Sequence, residues 1–387
     1  MKIQRLHWLP YHLPFVRPFV TSHGTMRYRA GLLLWCESDT GAVGVGDIAP
    51  MPSFGGGSLD DALVRCAPLP ALLTGMEITT ALDELTTRDW HAAGGRAVAC
   101  GLEVALLDLL AQQADINVAT LLGRGSWAGT VPEKYHTAPC DVPPPASAVP
   151  VNATVGARGV DAAVEAARRA VQSGFSCIKL KVGMQTSVRA EASRVEAVRT
   201  EIGPDIALRL DANEAWEVET AILMLRAFER SKIAMVEQPV AASDVQGMAR
   251  VRRGVTIPIA ADEAMRSLAD ARTIIAARAA DVLILKPTVT GGLRLSQQIA
   301  FLAKEAGMAT VVTTTIDTGI GCSAALHLAA SLPSPLPACG LATASLLEHD
   351  LLAKPLAIAR GVMAVPQGPG LGVVVCRDAL ERYRVDR

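Results

Sequence analysis

From about Val149 onward the chain repeats one pattern: a short β-rich apolar run, a stretch of helical spacing, then another apolar run. The runs fall near residues 150–154, 177–181, 207–211, 234–237, 257–261, 282–286 and 309–314, with a weaker one near 337–342. Amphipathic or alanine-rich segments such as Gly159 to Ser173 and Val188 to Glu201 lie between them. Alternation of this kind makes an α/β fold with a parallel sheet, and eight runs predict a barrel whose functional residues sit at the C-terminal strand ends. A doubly wound sheet would alternate in the same way. Its glycine-rich GxGxxG turn after the first strand is missing, which counts against it.

Residues 1–125 follow another rhythm. Gly31-Leu32-Leu33-Leu34-Trp35-Cys36 and Val43-Gly44-Val45-Gly46 flank the turn Asp39-Thr40-Gly41, the pattern of an antiparallel hairpin. Residues 59–122 turn helical, with a largely apolar helix over Arg96 to Leu110. The run Val142-Pro143-Pro144-Pro145 suits neither a helix nor an inner strand, and residues 126–148 read as a linker.

Half of the 387 residues are apolar and the formal net charge is −1. That is enough chain for a large core, and near-neutral charge without a basic run argues against nucleic acid or an anionic membrane as partner. Eight scattered cysteines form no CxxC pair and read as buried hydrophobes in a reducing compartment. The N-terminus lacks a signal-peptide core and no apolar run is long enough to span a bilayer, so the expected location is the cytoplasm. A homo-oligomer stays open, because apolar surface cannot be told from core in a sequence.

The ends of the apolar runs carry the chemistry. Lys179 and Lys181 end the second, Asp211 the third, Glu237 the fourth, Asp262 the fifth and Lys286 the sixth. Lys179 and Lys181 share one strand face, where mutual repulsion and desolvation are expected to depress their pKa values. A lone strand-end aspartate is commonly a helix N-cap. Three carboxylates on consecutive staves between lysines are another matter, because like charges at one rim call for a cation. Oxygen ligands alone point to a hard divalent ion, Mg2+ or else Mn2+. Such a set suits proton abstraction next to a carboxylate, with the metal stabilising the enediolate and a lysine acting as base.

In order and context these residues resemble the enolase superfamily, and within it the muconate-lactonising subgroup. The segments CIKLKVG, LDANEAW, VEQP, ADE and LKPTVTGG carry the likeness. It implies an N-terminal α+β capping domain (1–125), a modified (β/α)7β barrel (149–345) and a C-terminal segment (346–387) that returns to the cap. It also implies Asp211, Glu237 and Asp262 as metal ligands, with Asn213 orienting them. Lys181 becomes the acid/base, Lys179 its electrostatic partner and Lys286 the lysine of the opposite face.

Two further stretches look like the o-succinylbenzoate synthases: Gly44 to Gly55, with Asp47 in place of the usual glutamate, and Thr313-Thr314-Thr315-Ile316-Asp317-Thr318-Gly319. The likeness implies a substrate carboxylate held by Thr314, Thr315, Asp317 and Gly319, and a closing loop over Thr21 to Arg27 that brings in Arg27. The implied reaction is Mg2+-dependent dehydration of a cyclohexadiene carboxylate in menaquinone synthesis. Racemisation of N-acyl amino acids or epimerisation of dipeptides by the same subgroup is the alternative. Cys339 to Ser345 holds no acid for a dipeptide ammonium, and Val289 stands where the racemising synthases often have arginine. A barrel that only binds an acid or a metal is the reading of another class; all six strand-end charges being present speaks against it. No histidine falls at a strand end, and Trp127 and Trp216 read as packing residues.

Overall fold

The computed structural model describes residues 1–21, 24–124, 144–185 and 187–385. Ser22, His23, Trp127 and most of the expected linker lie outside the described residues.

The N-terminal unit is a three-stranded antiparallel sheet of β1 (Ile3–Thr21), β2 (Gly24–Ser38) and β3 (Val43–Ile48), backed by helices. The expected hairpin is there: Trp35 pairs with Val45 and Leu33 with Asp47, and the turn needs the left-handed backbone of Gly41 (φ 83°). The helix Gly95–Gln113 lies directly on β3. A Cβ on Gly44 would come within 2.1 Å of Ala105 O, and one on Gly46 within 1.9 Å of Gly101 O. The alternation of valine and glycine in β3 is therefore set by helix backbone pressed against strand. Asp108 of this helix accepts from Val45 N at 3.0 Å and from Leu371 N at 2.8 Å, tying helix, strand and C-terminal segment together.

A short strand β4 (Ala148–Pro150) precedes seven parallel strands. These are β5 (Ala153–Val155), β6 (Cys177–Lys181), β7 (Ala207–Asp211), β8 (Ile233–Glu237), β9 (Ile259–Ala261), β10 (Val282–Leu285) and β11 (Ala309–Val312), hydrogen-bonded in chain order. Helices over Val160–Gln172 and Val188–Ile202 stand where the spacing predicts them.

The weak eighth run is no strand. Two parallel bridges, Val151 to Cys339 and Thr313 to Gly340, close the ring instead. Pro333, Pro335 and Pro337 lead into this segment without donors for a longer ladder. Arg209, pointing into the barrel, donates to Ala338 O at 2.6 Å and secures the seam.

Strand alternation sorts the barrel interior. Met235, Ala260, Val282, Ile284 and Val311 form an apolar plug separate from the main core. The residue two further along on each of these strands turns the same way, and there stand Glu237, Asp262, Lys286 and Thr313. An apolar floor therefore lies beneath a charged mouth.

Past the barrel, β12 (Ile358–Ala359) and β13 (Val362–Ala364) pair onto β4, while Leu347 and Arg384 bridge to Phe15 and Tyr11 of β1. All seven described cysteines are free, six of them buried. Among the described residues no helix is long and apolar enough to cross a membrane.

Candidate active site

Pairing register brings the strand-end charges to one level. Lys181 lies opposite Asp211, and Asp211 opposite Glu237. Lys179 Nζ is 2.9 Å from both Asp211 Oδ2 and Glu237 Oε1. Lys181 Nζ is 2.7 Å from Asp211 Oδ2 and 2.6 Å from Asn213 Oδ1. Lys286 is ion-paired with Asp262. All six charged residues thus meet at the mouth. Since β6 and β10 are four staves apart in the ring, Lys181 and Lys286 face one another across it.

The three carboxylates are nearly lost to solvent, at 1% (Asp211), 2% (Glu237) and 4% (Asp262) exposure, whereas a quarter of the Lys181 side chain remains open. Burial raises Glu237 to about 7, against the pull of Lys179 and with help from Asp211 and Asp262. Burial also works on Asp211, but Lys179 and Lys181 overcome it and hold that carboxyl well below its usual range.

Lys179 corrects an expectation. Burial alone would lower its pKa, yet Asp211, Glu237 and Asp262 outweigh burial and the ammonium is held well above its ordinary value. Surrounding carboxylates, rather than the neighbouring lysine, decide its charge.

Backbone strain clusters just beyond the strand ends: Asn213 (φ 43°), Glu214 (φ 65°) and Gln238 (φ 39°) are all left-handed. The turn at Asn213 aims its side-chain Oδ1 at Lys181 and its Nδ2 at Glu263 Oε1, 2.9 Å away. Gln238 Oε1 accepts from Asp262 N at 3.0 Å and Ala264 N at 3.1 Å, which fixes the Asp262 turn. Sequence reasoning did not single out Gln238 or Glu263, although both adjoin residues it did. Glu263 is buried, raised in pKa chiefly by burial, and its Oε2 has no hydrogen-bond partner among the described residues. Phe54 was also missed. It comes from the short turn Pro52–Phe54 of the N-terminal unit, and Lys286 Nζ stands 3.7 Å over its ring.

The threonine-rich loop sits beside this mouth in another role. Thr315 donates to Asp317 Oδ1 at 2.6 Å, Thr288 donates to Asp317 Oδ2 at 3.2 Å, and Arg29 lies 3.6 Å from Asp317. Asp47 accepts from Tyr11 OH at 2.6 Å and from Thr318 N and Oγ1 at 3.0 and 2.8 Å. Burial, with Asp317 nearby, pushes Asp47 up to about 6. Thr314 meets Thr343 at 3.0 Å, and Gly319 N donates to Asp350. Of the residues expected to hold substrate, Thr315 and Asp317 meet Arg29 of the N-terminal unit, while Gly319 is tied to Asp350 of the C-terminal segment. Arg27 is exposed near the β1–β2 turn; the buried arginine is Arg29, two residues on.

In donor chemistry the three carboxylates fit a hard divalent cation, being oxygen-only and short of solvent. Their present spacing is that of a salt-bridge cluster. Lys179 stands between Asp211 and Glu237, and no three His, Cys, Asp or Glu side chains among the described residues are set out as a metal centre.

The family described as enolase C-terminal domain-like matches residues 161–379, and the mandelate racemase / muconate lactonizing enzyme N-terminal domain matches residues 10–123. The chain is an enzyme of the enolase superfamily. Within it, the chain belongs to the muconate-lactonising subgroup. Over 233 residues, 60% of this chain and 71% of the relative, it is 42% identical to an o-succinylbenzoate synthase of Thermobifida fusca. The solved N-succinyl Arg/Lys racemase of Bacillus cereus superposes with a TM-score of 0.88 at 25% identity, covering 100% of this chain and 99% of the racemase. A dipeptide epimerase of Enterococcus faecalis, solved with Mg and L-Leu-L-Tyr, superposes at 0.83 with 25% identity over 96% of this chain and 99% of that one.

Proposed function

We propose that the enzyme abstracts the proton α to a substrate carboxylate, and that its reaction is the dehydration of 2-succinyl-6-hydroxy-2,4-cyclohexadiene-1-carboxylate to o-succinylbenzoate. The observation that carries this is the pair Lys181 and Lys286, on opposite sides of a mouth lined by three buried carboxylates. Asp211, Glu237 and Asp262 would hold a divalent cation, Mg2+ in first place, whose Lewis acidity makes the α proton removable. Lys181, the more open lysine, takes that proton as Nζ–H. It then returns the proton to the departing hydroxyl on the same face, so water leaves and the ring becomes aromatic. Lys286 presents its ammonium to the other face, where negative charge develops. The higher identity to the synthase of Thermobifida fusca supports this reading.

A second reading has its own support. Two lysines facing each other can deprotonate on one side and reprotonate on the other, as racemisation of an N-acyl amino acid requires, and the racemase structure covers the whole chain. Epimerisation of dipeptides is disfavoured by the stretch Cys339 to Ser345, which offers no acid to a substrate ammonium.

The test is the ultraviolet absorbance of o-succinylbenzoate formed from the cyclohexadiene substrate, with Mg2+ and then with EDTA. Turnover that needs the metal and is lost in Lys181→Ala is the expected result. A folded, metal-loaded enzyme without turnover, yet exchanging the α proton of N-succinyl amino acids in D2O, would transfer the assignment to the racemase reading.

A further inference from the structure

Between the N-terminal unit and the barrel lies a cleft of about 460 Å3. Phe54, His91 and Arg96 line it from one side, and Ala264, Arg266 and Val289 from the other. It adjoins the lysine–carboxylate cluster. Phe54 carries Lys286 on its ring, Ala264 follows Asp262 by two residues, and Val289 follows Lys286 by three.

The polar wall of this cleft is cationic. Arg266 Nε donates to Glu263 O at 2.7 Å, but neither Nη group donates to any described residue. Its Nη1 faces Gly55, 3.5 Å from where a Cβ would lie. Arg96 Nη1 donates to Arg266 O at 3.0 Å, and its Nη2 lies 3.1 Å from His91 Nδ1. Burial, with Arg266 close by, lowers the Arg96 pKa against the opposing pull of Asp270. Asp270 lines the cleft too, but its Oδ2 is engaged by Ser267 Oγ at 2.8 Å and by Arg266 N at 3.3 Å. Two guanidinium groups against one carboxylate leave net positive charge. A guanidinium edge without protein partners is shaped for a carboxylate, which it can bind through two parallel hydrogen bonds.

We infer that Arg266 and Arg96 bind a second carboxylate, carried on the substrate arm distal to the carbon that Lys181 deprotonates, so that the site selects dianions over monoanions. This rests on the proposed function for the reacting carboxylate. It extends that reading to the other end of the substrate.

Titration calorimetry on the Mg2+-loaded enzyme tests it with two ligand pairs. One is o-succinylbenzoate against its distal-chain amide; the other is N-succinyl-L-phenylalanine against N-acetyl-L-phenylalanine. A charge-assisted bidentate contact gives a preference for the dianion of about tenfold or more in at least one pair. Arg266→Gln and Arg96→Gln bring that ratio close to one while leaving the monoanion's affinity as it was, and Arg266→Lys keeps part of it. Equal binding within both pairs overturns the inference, as does no binding in either pair or a variant that weakens both partners alike. A dianion preference in an enzyme that does not dehydrate would refute the reaction and keep the subsite. Dehydration without the preference would do the reverse.

Discussion

At the scale of single residues, the site depends on side chains that do no chemistry themselves. Asn213 touches both Lys181 and Glu263 from a strained backbone turn, so its loss frees the base and strips Glu263 Oε1 of its partner. Asn213→Ala is expected to lower kcat by about ten- to a hundredfold, as loss of a ligand-orienting contact commonly does. Steady-state kinetics beside a melting curve check it, and an unchanged kcat would show that Asn213 orients nothing. The charged strand ends were legible because a period of two is all that is needed to aim Lys179, Lys181, Asp211 and Glu237 at one rim. Gln238 and Glu263 were not legible: their value lies in backbone turns after the strands, which local sequence does not reveal. The pKa of Lys179 was misjudged for a related reason, since its nearest neighbours in space come from other staves.

At the scale of elements, close packing explains what composition could not. Gly46 sits beneath the backbone of the Gly95–Gln113 helix, and Gly46→Ala would drive a methyl into Gly101 O. The expected cost is about 1–3 kcal/mol of stability, read as a lower urea midpoint with an unchanged slope. A wild-type midpoint would mean that the helix yields there. The hairpin around Gly41 and the alternating barrel strands were readable from turn residues and periodicity. The eighth stave was not, because its residues look strand-like while the prolines before them leave too few donors for a ladder. The threonine loop was read as a ligand cradle from its hydroxyls. The structure turns Thr315 onto Asp317, two residues on, and Thr318 onto Asp47 of the N-terminal unit, a partner 271 residues away in the chain.

At the scale of the whole molecule, buried polar ties join three parts of the chain. His327, on the barrel helix Gly319–Ser331, accepts from Ala119 N at 3.2 Å and meets Leu371 O at 3.1 Å, so it is held neutral. Burial lowers its pKa to about 4. Below pH 6.5 the unfolded chain then binds a proton that the folded one refuses, and stability falls as pH drops from 6.5 towards 4. This contribution amounts to about 3 kcal/mol. His327→Gln should flatten that acid limb in urea titrations at stepped pH, and an equally steep limb would acquit the histidine.

The buried pair Glu103–Arg294, at 2.7 Å, joins the N-terminal helix to the barrel in the same way. Arg294→Met takes the guanidinium from a buried carboxylate and leaves it the backbone donors of Leu293 and residue 294. The expected cost is about 3 kcal/mol, measured by urea unfolding, and a loss below about 1 kcal/mol would mark the pair as ornamental.

The ties at Asp47, Asp317 and Glu103 have a consequence for traffic. The N-terminal unit cannot swing away as one body without exposing several buried charges together. Entry is left to short segments such as the Pro52–Phe54 turn, so the enzyme works as a fixed frame with a small door. Bulkier substrates should then be penalised in their rate of arrival while the chemical step, once they are inside, runs at its usual pace.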